Sequence, residues 1–489
     1  MSNNIIFKYN PNSTTDVKII YMYAGLILFG VMAGILVGIS SYAAIALAIG
    51  IIIVIIIARE PIRALACLIL ISPFAGTVYL RESLLDVAGF KPLQILALLI
   101  IMVSMLNYSK SEKTPKWVLY FIFGIIGIFS ISILRSLQYL DLYNQHYYLK
   151  AKMSSGGYVL SEYIKPIIYF IPFVVILKFA NTKNKLEFIY NVIYMTLIIL
   201  SIHLLYTYMS GITASRLELE DVTDFYSTYF SLHRNDLANF YIIGFPIAIG
   251  RLFYNRKIYD IFFNVIIISA IGILFSRTAY FTTILSIMLY LVITKRINIL
   301  PMVFIGIIVA SIGVSGAIME RASKGTESNN KDVNVILAGR VDSIWIPLIN
   351  EYVKAPKKLI IGKGRYSILA SEVKKRGIIL KGIAHPHNMY LEMIMDAGVI
   401  GLIFFIALYY KIVVSTLNKS RILKDDHLKE FLYANVISII CFMVAGFSGR
   451  SFFPKHDNIF IWVILGCTVS IYNICNKYEH CKDSIENTN

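Results

Sequence analysis

The chain has 489 residues, 57% of them hydrophobic and only 15% charged, with a formal net charge of +17. That is too apolar for a soluble domain of this length, so composition excludes a soluble enzyme and points to an all-α polytopic membrane protein. The surplus of Lys and Arg belongs first to short cytoplasmic loops, which leaves no reason to invoke nucleic acid as a partner.

A hydrocarbon core needs about 20 apolar residues per helical span. The first eighteen residues, MSNNIIFKYNPNSTTDVK, are polar, and the apolar run after them is long enough to stay as an anchor, so no cleavable signal is expected. Apolar runs then predict fourteen spans, at 18–39, 41–58, 62–80, 92–107, 117–137, 164–180, 188–209, 236–253, 258–276, 278–294, 297–318, 388–414, 431–447 and 457–475. The first two share a nearly unbroken run and the fourth is short, which gives a fold class of about 12–14 transmembrane helices. With a cytoplasmic N-terminus, the even-numbered spans return at basic connections such as Lys110/Lys113/Lys116 and Arg251/Arg256/Lys257. Cys67, Cys441, Cys467, Cys475 and Cys481 fall in spans or in the cytoplasmic tail, and none suggests an external disulfide or a CxxC metal site.

The chain is expected to divide into an N-terminal bundle of about eleven spans (1–318), a large external loop (319–387), C-terminal spans (388–475) and a cytoplasmic tail (476–489). The large loop carries thirteen Lys/Arg against six Asp/Glu, and a loop of this length escapes the orientation rule. Residues 333–353 and 358–375 show apolar spacing of short helices, so a folded cap on the membrane surface is expected, with 324–332 as its mobile part. Two smaller external loops are expected at 138–163 and 210–235, the second containing Arg216 and Arg234.

Charged side chains within the membrane are costly and usually face a polar cavity. Arg277, in ILFSRTAYF, reads either as a snorkelling arginine or as a ligand for an anion. Arg340, in LAGRVDSIW, offers a planar fork suited to phosphate oxygens, or forms part of a solvated face. His385-Pro386-His387-Asn388 directly precedes an apolar helix, with Asn388 as its N-cap. The dipole at that helix start disfavours a protonated imidazole, and a neutral one can act as general base. His387, nearest the helix, is the favoured residue. A His-x-His metal site with Glu392 as third ligand and a purely structural cap are the competing readings. Glu392 and Asp396 could line a polar stripe or pair with loop lysines.

These residues stand in a series of segments: SLHRNDLANFYIIGFPIA (231–248), FSRTAYFTTIL (275–285), AGRVDSIW (338–345), KKLIIGKGRYS (357–367), AHPHNMYLEMIMDAGVIGLI (384–403) and DNIFIWVILG (457–466). In this order they resemble the bacterial O-antigen ligase and polymerase family, itself similar to the C-type membrane glycosyltransferases. The resemblance implies a multi-pass enzyme of the bacterial inner membrane whose active site faces the periplasm. It implies that Arg277 and Arg340 bind the pyrophosphate of an undecaprenyl-pyrophosphate-linked glycan, and that His385 or His387 activates a sugar-hydroxyl acceptor. Arg216 and Arg234 are further candidate pyrophosphate ligands, and Asn388 and Glu392 supporting residues. No metal or cofactor is implied; a chain-length regulator is a partner to consider. Lys363 and Arg365 depart from the family's usually apolar or small glycine turn. The expected function is polymerisation of repeat units by inverting transfer. A ligase passing glycan to lipid A-core is the nearest alternative, and a flippase or secondary transporter the alternative of another class.

Overall fold

The computed structural model describes residues 60–77, 91–108, 112–147, 152–214, 226–255, 257–299, 339–380 and 382–486. Among these the chain is helical, without strands. Among the described residues, seven helices are long and apolar enough to cross a membrane by length and composition. They are Lys116–Tyr147, Ser155–Phe179, Lys183–Ser210, Arg234–Asn255, Met389–Ile422, Asp426–Ser448 and His456–Cys475. Four shorter apolar helices, Pro61–Phe74, Pro92–Leu106, Ile258–Ile273 and Arg277–Ile293, fall on further expected spans. The expected spans 18–39 and 41–58, nearly all of 297–318 and the stretch 324–332 lie outside the described residues.

The main elements are α1 (Pro61–Ile71), α2 (Pro92–Leu106), α3 (Lys116–Ser136), α4 (Leu140–Tyr147), α5 (Ser155–Phe179), α6 (Lys183–Ala214), α7 (Arg234–Asn255), α8 (Ile258–Ile273) and α9 (Arg277–Ile293). The loop contributes α10 (Ile346–Val353), α11 (Pro356–Ile361) and α12 (Glu372–Lys375), followed by α13 (Met389–Ile422), α14 (Asp426–Ala445) and α15 (Ile459–Glu486). Helix α7 and the N-terminal part of α15 are buried along most of their length, so they form the centre of the bundle. There α7 packs on α14 and α9, and α5 packs on α15. Outer helices keep large apolar side chains exposed, such as Tyr120 and Phe123 on α3 and Phe262 and Val265 on α8. Hydrocarbon is the solvent those faces require.

Two expected boundaries change. The described residues within 138–163, read as a loop, are largely helical: α3 continues through a turn into α4, and α5 starts at Ser155. The cause is tertiary, because Tyr143 of α4 donates to Glu162 of α5 at 2.9 Å and packs edge-on against Tyr158. Helix α13 is also not continuous. At Gly398 the backbone turns to φ 76°, ψ −178°, where a β-carbon is not tolerated. The glycine turn after α11 enters that break: the Lys363 and Gly364 amides donate to the carbonyls of Met395 and Asp396 at 2.8 and 3.1 Å. Arg135 of α3 closes the joint by donating to the Ile361 carbonyl.

One end of the bundle is held by ion pairs, Lys183–Asp425 at 2.7 Å, Arg251–Asp260 at 3.0 Å and Arg296–Glu430 at 3.1 Å. The opposite end, where α2, α7, α9, α13 and α15 begin, opens into a large polar cavity lined from α2, α7, the loop, the start of α13 and the turn between α14 and α15.

Candidate active site

The cavity measures about 770 Å³ and draws Lys91 from α2, Glu162 and Lys165 from α5, and Arg340 and Arg365 from the loop. His385, His387 and Glu392 come from the start of α13, and Arg450, Lys455 and Asp457 from the turn before α15. Ten residues separate the end of α14 from the start of the turn that opens α15, so these last three are held close to the histidines.

The histidine segment is fixed from three directions. Asn388 caps α13, its side chain accepting from the amides of Tyr390 and Leu391 at 3.0 and 3.1 Å. His387 sits at φ 53°, the left-handed region unusual for a residue with a β-carbon. Gly449 lies against it with φ 99°; a β-carbon there would stand 3.3 Å from the His387 Cα and 3.5 Å from its Nδ1. Finally, the Trp345 indole donates to the Pro386 carbonyl at 2.8 Å. The loop segment that begins at Arg340 therefore also grips the segment that carries the imidazoles. Asn388→Ala should lower stability by about 1 kcal/mol through loss of the cap, read as a lower unfolding midpoint in detergent.

Both imidazoles are held neutral. Burial, then Arg340, His233 and Lys455, bring the pKa of His387 down to about 4. Burial, then Lys455, Arg365, His387 and His146, push His385 well below its usual range. Burial and the nearby cations act in the direction expected of the helix dipole. His385 Nδ1 lies 4.0 Å from Glu392, whose carboxylate is the same distance from the Lys455 ammonium.

Arg340 is half-buried, and burial together with Arg277 and Arg450 weakens its hold on the proton. Arg277 opens α9 within electrostatic reach of Arg340 and outside the cavity lining. Its neighbours anchor that corner: Ser276 donates to Asn235 at 3.0 Å, and Thr278 shares a 2.7 Å hydrogen bond with Ser448. Arg234 stands at the start of α7 beside His233, also outside the lining. Arg216 lies outside the described residues. The structure therefore gathers Arg277, Arg340, His385, His387, Asn388 and Glu392 at one end of the bundle, with Arg234 at its edge. Among the described residues no three His, Cys, Asp or Glu side chains are grouped so as to hold a metal ion, so the His-x-His metal reading finds no ligand set.

Several lining residues escape a reading of the sequence. Arg365, noted there only as a departure, is buried, 3.6 Å from Glu162, with Phe129, Tyr366 and Phe453 around its guanidinium. Burial opposes its charge, but Tyr366, Glu162, Glu392 and Asp396 outweigh that and raise its pKa. Asp396 is accordingly buried beside Arg365, not paired with a loop lysine. Arg450 is only 2% exposed. A signal for it was present: by the span alternation 448–456 is a short external loop with Arg450, Lys455 and no acid, against the charge rule.

Residues 262–406 match a family model described as O-antigen ligase. This segment is similar to the O-antigen ligase and polymerase family. The matched segment runs from α8 into α13 and contains Arg277, Arg340, His385, His387 and Glu392. Arg450, Lys455 and Asp457 lie beyond it. No curated protein matches the chain. At the family level the chemistry is glycosyl transfer of the ligase or polymerase type at a multi-pass membrane protein.

Proposed function

We propose that this protein polymerises oligosaccharide repeat units carried on undecaprenyl pyrophosphate, by inverting transfer that uses no metal, at the periplasmic face of the bacterial inner membrane. The observation that carries the reading is a single cavity in which Arg340 and neutral His387 meet, with Arg277 in electrostatic reach of Arg340. A lipid-linked donor presents C1 of its sugar bonded to a diphosphate oxygen. The acceptor hydroxyl attacks C1 from the face opposite that oxygen, the C1–O bond breaks, and the lipid diphosphate departs with the electron pair. Its growing negative charge is met by fixed guanidinia. The hydroxyl proton passes to an imidazole, His387 in the favoured assignment. Inversion follows from one direct displacement; a double displacement would need a carboxylate nucleophile at C1.

Purified protein in liposomes with a lipid-linked repeat unit provides the test. Lengthening glycans support the polymerase. Transfer to added lipid A-core, without lengthening, replaces it with the ligase. Lipid movement with no new glycosidic bond removes both.

The neutral histidine also sets a pH dependence. The base works unprotonated, so lowering its pKa to about 4 moves the acid limb of kcat/KM down from near 6.5 to near pH 4. Bound diphosphate opposes the cations that depress His387, so the limb in kcat should lie at higher pH than in kcat/KM. A kcat/KM limb at 6.5 would show that the acting imidazole is not depressed in this way.

A further inference from the structure

Arg450 stands apart from every other charge in the cavity wall. It is 2% exposed, and none of its Nε, Nη1 or Nη2 atoms has a hydrogen-bond partner. A guanidinium carries five N–H donors, stays charged in proteins, and is costly to bury without acceptors. The side chain is not loosely placed, because its loop is tied down. Asn458 donates to the carbonyls of Ser451 and Phe453 at 3.0 and 2.9 Å, and the Lys455 amide donates back to Asn458 at 2.8 Å. Gly449 brings the same loop against His387. The opposite charges that act on Arg450 are Asp236, at the start of α7, and Asp457. Asp457 is itself engaged, accepting from Asn239 at 3.3 Å. Arg340 and Arg450 act on each other electrostatically, and Arg277 acts on Arg340. Arg340 and Arg450, with Lys455 acting on Asp236 and Arg277 in reach of Arg340, outnumber the carboxylates Asp236 and Asp457 here. The surplus is positive, and it sits where the neutral imidazole does.

We propose that Arg450 is a diphosphate ligand of this site, lying outside the segment that defines the family, and that Asp236 and Asp457 compete with the diphosphate for its guanidinium. This rests on the transfer reading only for the identity of the natural donor; the recognised chemistry is a diphosphate, lipid-borne or free. The fork geometry of Arg450 matches two phosphate oxygens at once, which a lysine ammonium does not reproduce. The charge it answers grows during the reaction, because the diphosphate gains a negative charge when its bond to the sugar breaks.

The experiment is calorimetric titration of the purified, detergent-solubilised protein with inorganic diphosphate and, separately, farnesyl diphosphate, at fixed ionic strength. Wild-type protein should bind at least one. In Arg450→Met the affinity should fall about 10–100-fold, as for loss of hydrogen bonds to a charged group, and Arg450→Lys should recover only part. Asp236→Asn should bind more tightly than wild type, because a competitor is removed; a loss of folding cannot mimic that sign. Dependence on Arg450 for both probes assigns it to the diphosphate moiety, and dependence for farnesyl diphosphate alone assigns it to the lipid-borne form; either supports the proposal. It is overturned if monodisperse Arg450→Met binds both probes like wild type, if Asp236→Asn weakens binding, or if wild type binds neither. Wild-type binding of diphosphate without glycosidic bond formation would sink the transfer reading and leave Arg450 as a diphosphate ligand.

Discussion

His387→Ala should lower glycan transfer by about 10²–10⁴-fold, the range lost when a positioned general base is removed, while the protein still extracts and purifies as a monodisperse membrane protein. The expectation comes from placement. The imidazole is neutral, lines the cavity with Arg340, and is held by Gly449 on one side and by the cap of α13 on the other. Alanine brings a second change, since residue 387 has φ 53° and left-handed backbone disfavours most residues with a β-carbon. Asn tolerates that conformation better than most. His387→Asn is therefore the control that keeps the backbone and removes the base. Both variants should retain diphosphate binding within a few-fold, so the loss should appear in kcat rather than in donor affinity. Wild-type turnover in His387→Asn, with a comparable loss in His385→Ala, would move the base to His385.

Gly398→Ala is the variant expected to damage the fold most. At φ 76°, ψ −178° only glycine is at home, and forcing another residue there costs about 1–3 kcal/mol before any collision. The collision is present too: a β-carbon on Gly398 would strike the Ile360 carbonyl. The partner turn has no slack, because a β-carbon on Gly362, itself at φ 70°, would stand 2.6 Å from the amides of Ala397 and Gly398. The break cannot be moved without unseating the hydrogen bonds from Lys363 and Gly364 to Met395 and Asp396. Gly398→Ala should show a clear drop in unfolding temperature and poor yield. Gly377→Ala, also at positive φ but with open space around it, should cost less. Equal unfolding midpoints for the two would show that the joint at Gly398 carries no stability.

Much of the helical plan can be read from hydropathy, because lipid-facing and core-facing side chains are both apolar and charges or prolines mark the ends. The apolar stretches 258–276 and 278–294 become Ile258–Ile273 and Arg277–Ile293, and the stretch 92–107 becomes a helix that opens at Pro92. The break in α13 is invisible to the same reasoning, since MIMDAGVIGLI continues the apolar pattern past Gly398 with Asp396 its one charge. It exists because a turn some thirty residues earlier supplies the missing donors, which is a tertiary fact. Arg277, Arg340 and His387 stand out in the sequence because charged or titratable residues beside apolar runs are rare. Arg365 and Arg450 do not, because what distinguishes them is burial: one sits among rings and carboxylates, the other without an acceptor.

The bond from Trp345 to the Pro386 carbonyl has a consequence for anyone recombining these proteins. Arg340, the proposed donor ligand, and His387, the proposed base, ride on two strips of chain fastened by one indole. Chimeras that swap only 341–353, or only 384–388, would part the fastening and misalign both, whereas an exchange spanning 339–398 carries the tie, the Met395 and Asp396 joint and its glycine across together.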